Sequence, residues 1–350
     1  QYKDVGGWLD DVDTGREDIN DTEMSYFRLK GLWQASDDLT VNVMAIRERT
    51  DIGASSRGNI LDEQGDPAIR TVDRSSLGFP LSRDTRDTYT DIYNVTVNYD
   101  LGFATLTSST SKIDVGVFTD FNSFLVNQDL TLNDSGISQI GPSRDLEGFS
   151  QEVRLAGVSS NNKWDWVVGA FYADIDTFAE FQAFDSFSAG AVVFHLDGAA
   201  VEDNNSESTA IFANVAYHFN EQLTLTLGGR QFEDDRTTDG FGFREPATDS
   251  FSHFSPMAAL SYAINDDASV YVSVAEGFRS GGSNQVPIGS TETSRPAYEP
   301  ETVRTYELGA KALLLDGRLS TETALFYTQY EDYQARDQTL SSSDDLISIL

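Results

Sequence analysis

The sequence contains no cysteine and only three histidines, His195, His218 and His253. Without cysteine the chain can form no disulfide, no thiolate nucleophile and no cysteine-ligated zinc or iron–sulfur site. The histidines lie far apart in the sequence, so we expect no histidine-rich metal site. Basic side chains are scarce too: 24 lysines and arginines stand against 57 aspartates and glutamates, and the net charge is −33. We therefore expect no nucleic-acid partner, because phosphate backbones are bound by clustered lysine and arginine.

Long hydrophobic runs are also missing. The longest apolar stretch covers about residues 189–196, far short of the roughly 18 residues of a membrane-spanning helix. The first residues, Gln1 to Asp4, lack the initiator Met, basic region and apolar region of a secretory signal, and the last residues stop within a repeating pattern. We therefore expect the chain to be part of a longer protein. A membrane β-barrel would show no long apolar run either, because its strands alternate lipid-facing and lumen-facing residues.

What the sequence does contain is alternation with a period of two residues. In residues 93–99, one face carries Tyr and Val and the other carries Asn and Thr. Residues 39–43 and 223–227 repeat this pattern, which is typical of β-strands with one apolar face. Helical periodicity is scarce, so the predicted fold class is all-β. Thirteen strands are predicted, near residues 2–9, 23–35, 38–50, 87–100, 102–115, 148–159, 163–177, 207–220, 222–236, 251–265, 268–280, 301–315 and 317–332.

The predicted strands are joined alternately by short turns and by long polar connections. The short turns contain Asx and Gly residues typical of hairpins, and they lie at residues 35–38, 100–102, 160–162, 220–222, 265–267 and 316–317. The long connections cover residues 52–86, 117–147, 181–206, 233–249 and 281–300. An outer-membrane barrel has short periplasmic turns and long extracellular loops, whereas a soluble sandwich gives no reason for this segregation. The pattern predicts a transmembrane antiparallel β-barrel.

Side chains on the two faces of the predicted strands fit such a barrel. Aromatic residues gather near the short turns, as in interfacial girdles, although the edge of a sandwich core would look the same; they are Trp33, Tyr99, Trp164, Trp166, Tyr217, Phe219, Tyr262 and Tyr271. The opposite face of several strands carries charges that we predict to line a wet lumen: Glu152, Arg154, Arg230, Glu307 and Lys311. An ion-pair ladder that holds the wall or a plug explains these charges better than ligand contact does.

No motif of catalysis or cofactor binding is present. The G-x-S-x-G, H-E-x-x-H, P-loop and dinucleotide-binding patterns are all missing, so we predict no enzyme, no catalytic residue, no cofactor and no metal site. Asp11, Asp13 and Gly15 resemble a calcium loop only faintly, since the bidentate Glu is missing. Asp234 and Asp235 belong to an acidic stretch that we expect to be a solvated loop. Acidic loops of this kind mildly disfavour strongly anionic ligands.

Several sequence segments resemble, in their order and spacing, the paired strands of TonB-dependent outer-membrane receptors. They are SQEVRL at 150–155, WDWVVGAFY at 164–172, LTLTLGGR at 223–230, YVSVAEGFRSGGSN at 271–284, YEPE at 298–301, YELGAK at 306–311 and DGRL at 316–319 with the following hairpin to 334. The resemblance implies a barrel of about 22 strands with a plugged lumen in the outer membrane of a Gram-negative bacterium. It also implies a monomer, energised through its plug by the TonB complex, that takes up a ferric siderophore, cobalamin or a saccharide.

On this resemblance, residues 1–350 would be part of the barrel domain, without the N-terminal plug and the closing strands. Residues 6–10 resemble the first barrel strand after the plug. We predict ligand contacts at Arg279, Asn284 and Gln285, where a strand opens into a glycine-rich extracellular loop. Two alternatives stay open at this point. One is a passive outer-membrane porin, and the other is a soluble secreted β-sandwich or propeller that binds carbohydrate through loop aromatics.

Overall fold

The computed structural model describes residues 1–8, 17–18, 20–53, 85–123, 134–189, 192–240, 246–284, 296–335, 337–340 and 346–349. Its strands are β1 (Tyr2–Val5), β2 (Thr22–Gln34), β3 (Leu39–Ile52), β4 (Thr85–Asp100), β5 (Thr105–Ser123), β6 (Asp134–Val158), β7 (Trp164–Ala189), β8 (Val192–His218), β9 (Leu223–Gly240), β10 (Ala247–Asn265), β11 (Ala268–Arg279), β12 (Glu301–Leu314), β13 (Leu319–Glu331), β14 (Asp337–Leu340) and β15 (Leu346–Ile349). No helix in the described ranges is long and apolar enough to cross a membrane.

One continuous sheet contains the first thirteen strands. They are hydrogen-bonded in sequence order from β1 to β13, and each neighbouring pair is antiparallel. The strands β14 and β15 form a separate hairpin that the sequence patterns did not predict. The prediction of an all-β, antiparallel fold with thirteen wall strands is confirmed. A sandwich is excluded for this part of the chain, because all thirteen strands follow one another in a single sheet instead of dividing between two.

The pairing register sorts the side chains of the large sheet onto two faces. Tyr217 and Val215 on β8 are opposite Leu225 and Leu227 on β9, and directly opposed residues share a face. We call this the outer face, and the opposite one the inner face. Near the short turns the outer face is apolar yet exposed, with 66% of Ile211 and 52% of Leu227 accessible. An exposed apolar belt of this size requires a cover such as lipid.

The short turns have the chemistry that the sequence predicted. Asp100 Oδ1 accepts a hydrogen bond from the backbone N–H of Gly102 at 2.7 Å, and Gly102 has a φ of 83° that favours glycine. Asn220 Oδ1 accepts from the backbone N–H groups of Gln222 and Leu223 at 2.9 and 2.8 Å. These Asx contacts fix tight hairpins at one end of the sheet.

At the other end, the predicted extent of the long connections was wrong. β6 begins at Asp134, inside the predicted connection 117–147, and β7 ends at Ala189 while β8 begins at Val192, inside the predicted connection 181–206. Backbone pairing continues through these segments without the alternation of apolar and polar residues. Alternation is expected only where one face of a strand is apolar and the other polar, so the hydropathy pattern did not report these extensions.

The outer face changes from apolar to acidic about ten residues above the short turns, which is the length that a tilted strand needs to cross the hydrocarbon. Carboxylates lie directly opposite one another across strands; Asp114, Glu147 and Asp176 form one row, and Asp174, Glu207 and Asp235 form the neighbouring row. Like charges in this arrangement destabilise a sheet unless water or ions screen them. The change marks the upper edge of the apolar belt.

Most of the predicted girdle aromatics lie on the outer face near the short turns. Trp164 contacts Tyr217 with ring centroids 4.4 Å apart, and Tyr217 contacts Phe219 at 4.7 Å. Tyr271 is the exception, because its hydroxyl donates a hydrogen bond to Glu307 on the inner face. It belongs to the polar wall and not to the girdle.

Candidate functional site

The inner face of β6 to β9 carries a continuous group of arginine and phenylalanine side chains. In one row of the sheet the consecutive cross-strand partners are Arg154, Gly169, Phe212 and Arg230, and in the next row they are Glu152, Phe171, Ala210 and Phe232. We call Arg154, Phe171, Phe212, Arg230 and Phe232 the arginine–phenylalanine patch. Phe212 lies directly opposite Arg230, and directly opposed side chains are about 5 Å apart. The small residues Gly169 and Ala210 separate the other members of each row.

The guanidinium of Arg230 lies between two rings. Its Cζ is 5.0 Å from the ring centroid of Phe171 and 5.4 Å from that of Phe232, both within the range of a cation–π interaction. Gly169 leaves room for the ring of Phe212, since a Cβ at this position would overlap that ring. In the described part of the chain, no carboxylate forms an ion pair with Arg230.

The aromatic surface continues onto β10 and β11. Phe232 contacts Phe278 with centroids 5.3 Å apart, and Phe278 stacks on His253 at 4.6 Å with an interplanar angle of 24°. His253 Nε2 lies 3.2 Å from a carboxylate oxygen of Glu276, which is also paired with Arg304. Rings from three strands therefore extend the patch across the sheet as far as the linked charges of Glu276 and Arg304.

Two residues further up β9, Asp234 is almost completely buried, with 2% of its surface exposed. Its carboxylate accepts hydrogen bonds from the hydroxyls of Ser206 at 2.7 Å and Ser208 at 3.1 Å, and from Arg236 Nε at 2.7 Å. A further hydrogen bond from Ser280 adds the segment that follows β11. Charge-assisted hydrogen bonds are stronger than neutral ones, so this carboxylate fastens three parts of the wall together.

The segment that follows β11 folds back onto the inner face. We call residues 280–284 the strap. Arg236 Nη1 donates a hydrogen bond to the carbonyl of Gly281 at 3.1 Å, and the hydroxyl of Ser283 donates to Asp249 Oδ2 at 2.5 Å. The strap is thus held against β9 and β10, next to the patch.

The segment before β12 and the segment after β13 hold the other side of the strap. Gly282 and Tyr298 exchange two backbone hydrogen bonds, of 3.2 and 2.8 Å. Gln334 Nε2 donates to the carbonyls of Ser280 and Glu299, both at 3.0 Å. Contacts from both sides therefore fix the strap in one place above the inner face.

The surroundings of Asp234 hold the pKa of its carboxyl below the usual value for an aspartate. Burial raises this pKa, but the hydrogen bonds from Ser206, Ser280 and Arg236 and the charge of Arg236 lower it by more. Asp234 is the twelfth residue of β9 and lies beyond the apolar belt. Because the folded-state pKa is lower than that of the unfolded chain, the stability contributed by the ionised group is complete above the unfolded pKa, about pH 4. It is lost as the pH falls through the folded pKa.

We therefore expect the strap to stay attached between pH 7 and pH 5 and to loosen only below about pH 4. The measurement is hydrogen–deuterium exchange of the amides in residues 280–284, corrected for the intrinsic pH dependence of exchange. Protection that decreases between pH 7 and pH 5 would contradict this expectation and would point to a group other than Asp234.

The structure places all five predicted lumen charges on the inner face. Arg154 Nη1 is 3.2 Å from a carboxylate oxygen of Glu152 on the same strand. Lys311 pairs with Glu322 on β13 at 2.6 Å and not with Glu307. Of the five residues, Arg154 and Glu152 pair with each other and Lys311 pairs with Glu322. The predicted series of ion pairs is therefore limited to these two, and it does not include Arg230.

The predicted ligand contacts lie at the beginning and end of the strap. Arg279 is the last residue of β11, is exposed, and is opposite Glu301 in the register. Asn284 Nδ2 donates a hydrogen bond to the carbonyl of Pro296 at 2.9 Å. Gln285 lies outside the described residues. These contacts do not test whether Arg279, Asn284 and Gln285 bind the ligand, so that role stays a prediction.

Within the described ranges, no three His, Asp or Glu side chains are grouped so that they could hold a metal ion. His218 contacts wall neighbours, with Nδ1 2.9 Å from the hydroxyl of Thr224 and Nε2 2.8 Å from Asp165. The faint calcium pattern of Asp11, Asp13 and Gly15 and the side chain of His195 lie outside the described residues.

Comparison with known proteins fits this architecture. Residues 23–347 match the family described as "TonB dependent receptor-like, beta-barrel". Among curated proteins, the chain is 29% identical over 143 residues to the ferripyoverdine receptor of Pseudomonas aeruginosa, which covers 40% of this chain and 16% of that protein. It is 26% identical over 149 residues to the pesticin receptor of Yersinia pestis, covering 39% and 22%.

Solved structures show the same fold. The ferric yersiniabactin uptake receptor of Yersinia pestis matches with a TM-score of 0.70 and 18% identity, over 95% of this chain and 49% of that one. The ferripyoverdine receptor of Pseudomonas aeruginosa bound to ferripyoverdine matches with a TM-score of 0.66 and 16% identity, over 96% and 44%. The chain thus spans about half the length of these solved relatives and about a fifth of the curated ones.

The family consists of transport receptors in the outer membrane of Gram-negative bacteria and not of enzymes. The apolar outer belt, the polar inner face and the segregated turns are the properties that such a wall requires. The predicted fold class and location are confirmed, and a soluble carbohydrate-binding sandwich is excluded. The family match covers nearly the whole chain, and we conclude that this protein belongs to the TonB-dependent receptor β-barrel family.

Proposed function

We propose that the chain forms the wall of an outer-membrane receptor that takes up a ferric siderophore with energy from the TonB complex. The observation that carries this proposal is the match of almost the whole chain to a receptor barrel family. The relatives named above include receptors for ferripyoverdine and for ferric yersiniabactin. Cobalamin and saccharides are the competing ligand classes, and no relative named above supports them.

The proposal includes parts that the described residues do not contain. We infer that residues 1–350 are part of the barrel domain, that a plug domain contacts TonB and that the receptor is a monomer. A passive porin is the rival within the membrane. A plug domain of the usual length in the complete protein would exclude a porin.

Growth under iron limitation tests the ligand class. A bacterial strain without its own siderophore receptors is given the complete receptor and is supplied with single ferric siderophores, with cobalamin or with oligosaccharides. We expect growth with at least one ferric siderophore, and no receptor-dependent uptake of cobalamin or saccharide. Uptake of cobalamin or a saccharide alone would contradict the proposal.

We propose that Arg279, Asn284 and Gln285 contact the ligand at the mouth of the barrel. Replacing all three by alanine is expected to weaken binding of the transported siderophore by at least about tenfold, since hydrogen bonds to charged groups contribute about 1.5–3 kcal/mol each. Isothermal titration of the receptor in detergent measures this. An R318Q variant is the control, because Arg318 lies in the short turn at the opposite end of the wall. Unchanged affinity and transport in the triple variant would show that the assignment is wrong.

A further inference from the structure

We propose that the outer face of β2 to β5 binds one phosphorylated lipid of the extracellular leaflet. The phosphate of this lipid contacts Arg47 and Arg49, and an acyl chain lies in an apolar groove directly below them. The surface is on the outside of the barrel, so neither a plug in the lumen nor the transported ligand covers it. The inference follows from the membrane location of the wall and does not depend on which ligand is transported.

The two arginines lie at the extracellular boundary of the apolar belt. They are the ninth and eleventh residues of β3, counted from the short turn, and a tilted strand crosses the hydrocarbon in about 9–11 residues. Arg47 is directly opposite Asp91, and Asp91 is opposite Asp114, which belongs to the outer-face row described above. Both guanidinium groups therefore face outward at the depth of the lipid headgroups.

One carboxylate holds both guanidinium groups. Asp91 accepts hydrogen bonds from Arg47 Nε and Nη2 at 3.1 and 3.2 Å, and from Arg49 Nη1 and Nη2 at 3.0 and 2.8 Å. Two cations on one anion leave one positive charge. A guanidinium has five N–H donors. Asp91 takes two from each arginine and the carbonyl of Glu48 takes one more from Arg49, so both arginines keep donors for a phosphate.

The arginines are fixed in place and still open to the outside. The side chain of Arg47 is 59% exposed and that of Arg49 is 36% exposed, whereas Asp91 beneath them is 10% exposed. Cζ of Arg49 also lies 5.0 Å from the ring centroid of Tyr89. Preorganised side chains lose little entropy when they bind. Basic groups at this depth of a membrane wall are positioned to bind anionic headgroups.

An apolar groove on the same face lies next to the arginines, on the side of the short turn. It is a cavity of about 320 Å³, and its lining includes Leu29, Val43, Ala45, Tyr93 and Phe149. Ala45 is two residues below Arg47 and directly opposite both Leu29 and Tyr93, so a small side chain lies between larger ones. Groove and arginines together form an amphipathic site that fits an acyl chain and the phosphate above it.

The nearby carboxylates leave this assignment intact. Asp114 is on β5, about 10 Å from β3, since neighbouring strands are about 4.8 Å apart, and Asp51 is two residues above Arg49 on β3. A phosphate at the boundary over β3 contacts the guanidinium groups before it reaches these acids. On β6 and β7 the same row carries Glu147 and Asp176, which attract a phosphate only through a divalent cation. Chelation separates the two mechanisms.

Native mass spectrometry of the complete receptor in detergent tests the inference. The probes are lipid A with its two phosphates, lipid A without phosphate, and inorganic phosphate, all in the presence of EDTA. We expect wild type to bind the phosphorylated lipid at least about tenfold more tightly than the phosphate-free lipid. Inorganic phosphate at the concentration of the lipid should not compete, because it makes no use of the groove.

Three variants assign the binding to its two parts. R47Q/R49Q/D91N removes the charges without leaving a lone buried carboxylate, and we expect it to bind both lipids alike. R318Q makes the same change in net charge in a short turn at the opposite end of the wall and should keep the preference of wild type. A45F fills the groove and keeps the arginines, so it should weaken binding of both lipids by about fivefold with the preference retained.

Three results would overturn the inference. They are equal binding of both lipids by wild type in EDTA, an unchanged preference in R47Q/R49Q/D91N, and competition by inorganic phosphate as strong as by the lipid. Heat-modifiable migration on a gel shows whether each variant forms an intact barrel. If the triple variant does not, R49Q alone, which leaves Arg47 paired with Asp91, should lower the preference by about threefold, and an unchanged preference in R49Q then overturns the inference. Siderophore transport by the same variants is measured separately, and its failure concerns only the proposed function.

Discussion

Replacing Asp234 by alanine is expected to lower the free energy of unfolding of the receptor by about 3 kcal/mol. The change removes the acceptor of Ser206, Ser208 and Arg236 at once, and buried donors without partners are costly. Removing one partner of a buried ion pair costs about 3–5 kcal/mol, and the lower end applies because the Arg236 side chain is 38% exposed. Urea unfolding of the receptor in detergent, followed by tryptophan fluorescence, measures the change.

Two matched variants make this test specific. D235A removes the neighbouring carboxylate, which is exposed and on the outer face, and is expected to cost less than about 1 kcal/mol. D234N keeps an acceptor for the serine hydroxyls but loses the charge, so its stability should fall between wild type and D234A. Hydrogen exchange should also become faster in residues 280–284 of D234A. Equal stability of D234A and D235A would show that Asp234 does not fasten the strap.

Replacing Gly281 by alanine is the second large effect that we expect. A Cβ at this position would lie 2.6 Å from a ring carbon of Phe251 and well inside 3.0 Å of the carbonyl oxygen of Tyr298. The ring can move, but the carbonyl belongs to backbone that pairs with Gly282. The strap must therefore shift away from β10, and we expect a loss of about 2–3 kcal/mol of stability together with faster exchange of its amides.

G277A is the control for this change. Gly277 precedes the strap on β11, and its added Cβ would meet only Val303 Cγ1, at 3.4 Å. We expect G277A to change the free energy of unfolding by no more than about 0.5 kcal/mol, because alanine also restricts the unfolded chain. If G281A unfolds and exchanges like G277A, the close packing of the strap described above is wrong.

Within the apolar belt, the sequence alone predicts the strands of this barrel wall correctly. Alternation in residues 93–99 and 223–227 identifies the strands, because lipid on one side and water on the other require opposite side chains. The same physics explains the failure above the belt. There the contrast between lipid and water is lost, and the early start of β6 at Asp134 and the long β7–β8 hairpin are defined by backbone pairing that leaves no trace in hydropathy.

Asp234 shows what sequence reasoning could have found and did not. Counting alternate residues from Thr224 places Arg230, Phe232, Asp234 and Arg236 on one face of a single strand. The acidic composition of the surrounding stretch led instead to the expectation of a solvated loop. The partners of Asp234 could not be predicted in the same way, because Ser280 approaches from a segment 46 residues further along the chain, and no local pattern reports such a contact.

The sequence predicted only part of the arginine–phenylalanine patch, for a similar reason. Arg154 and Arg230 were predicted as lumen charges from their own strands, but their position in one row with Phe212 between them depends on the register of β6 to β9. Register follows from the lengths of the hairpins and from the fit of all strands together. Only the structure could show that Arg230 lies between two rings and outside the ion pairs.

Transport of a radiolabelled ferric siderophore into cells that produce the complete receptor tests whether uptake through this barrel depends on TonB. The assay compares cells that contain TonB with cells that lack it, using a siderophore that supports receptor-dependent growth. We predict binding at the cell surface in both kinds of cell and accumulation inside only in the cells with TonB. Equal accumulation without TonB would contradict this prediction and would identify the barrel as a passive pore.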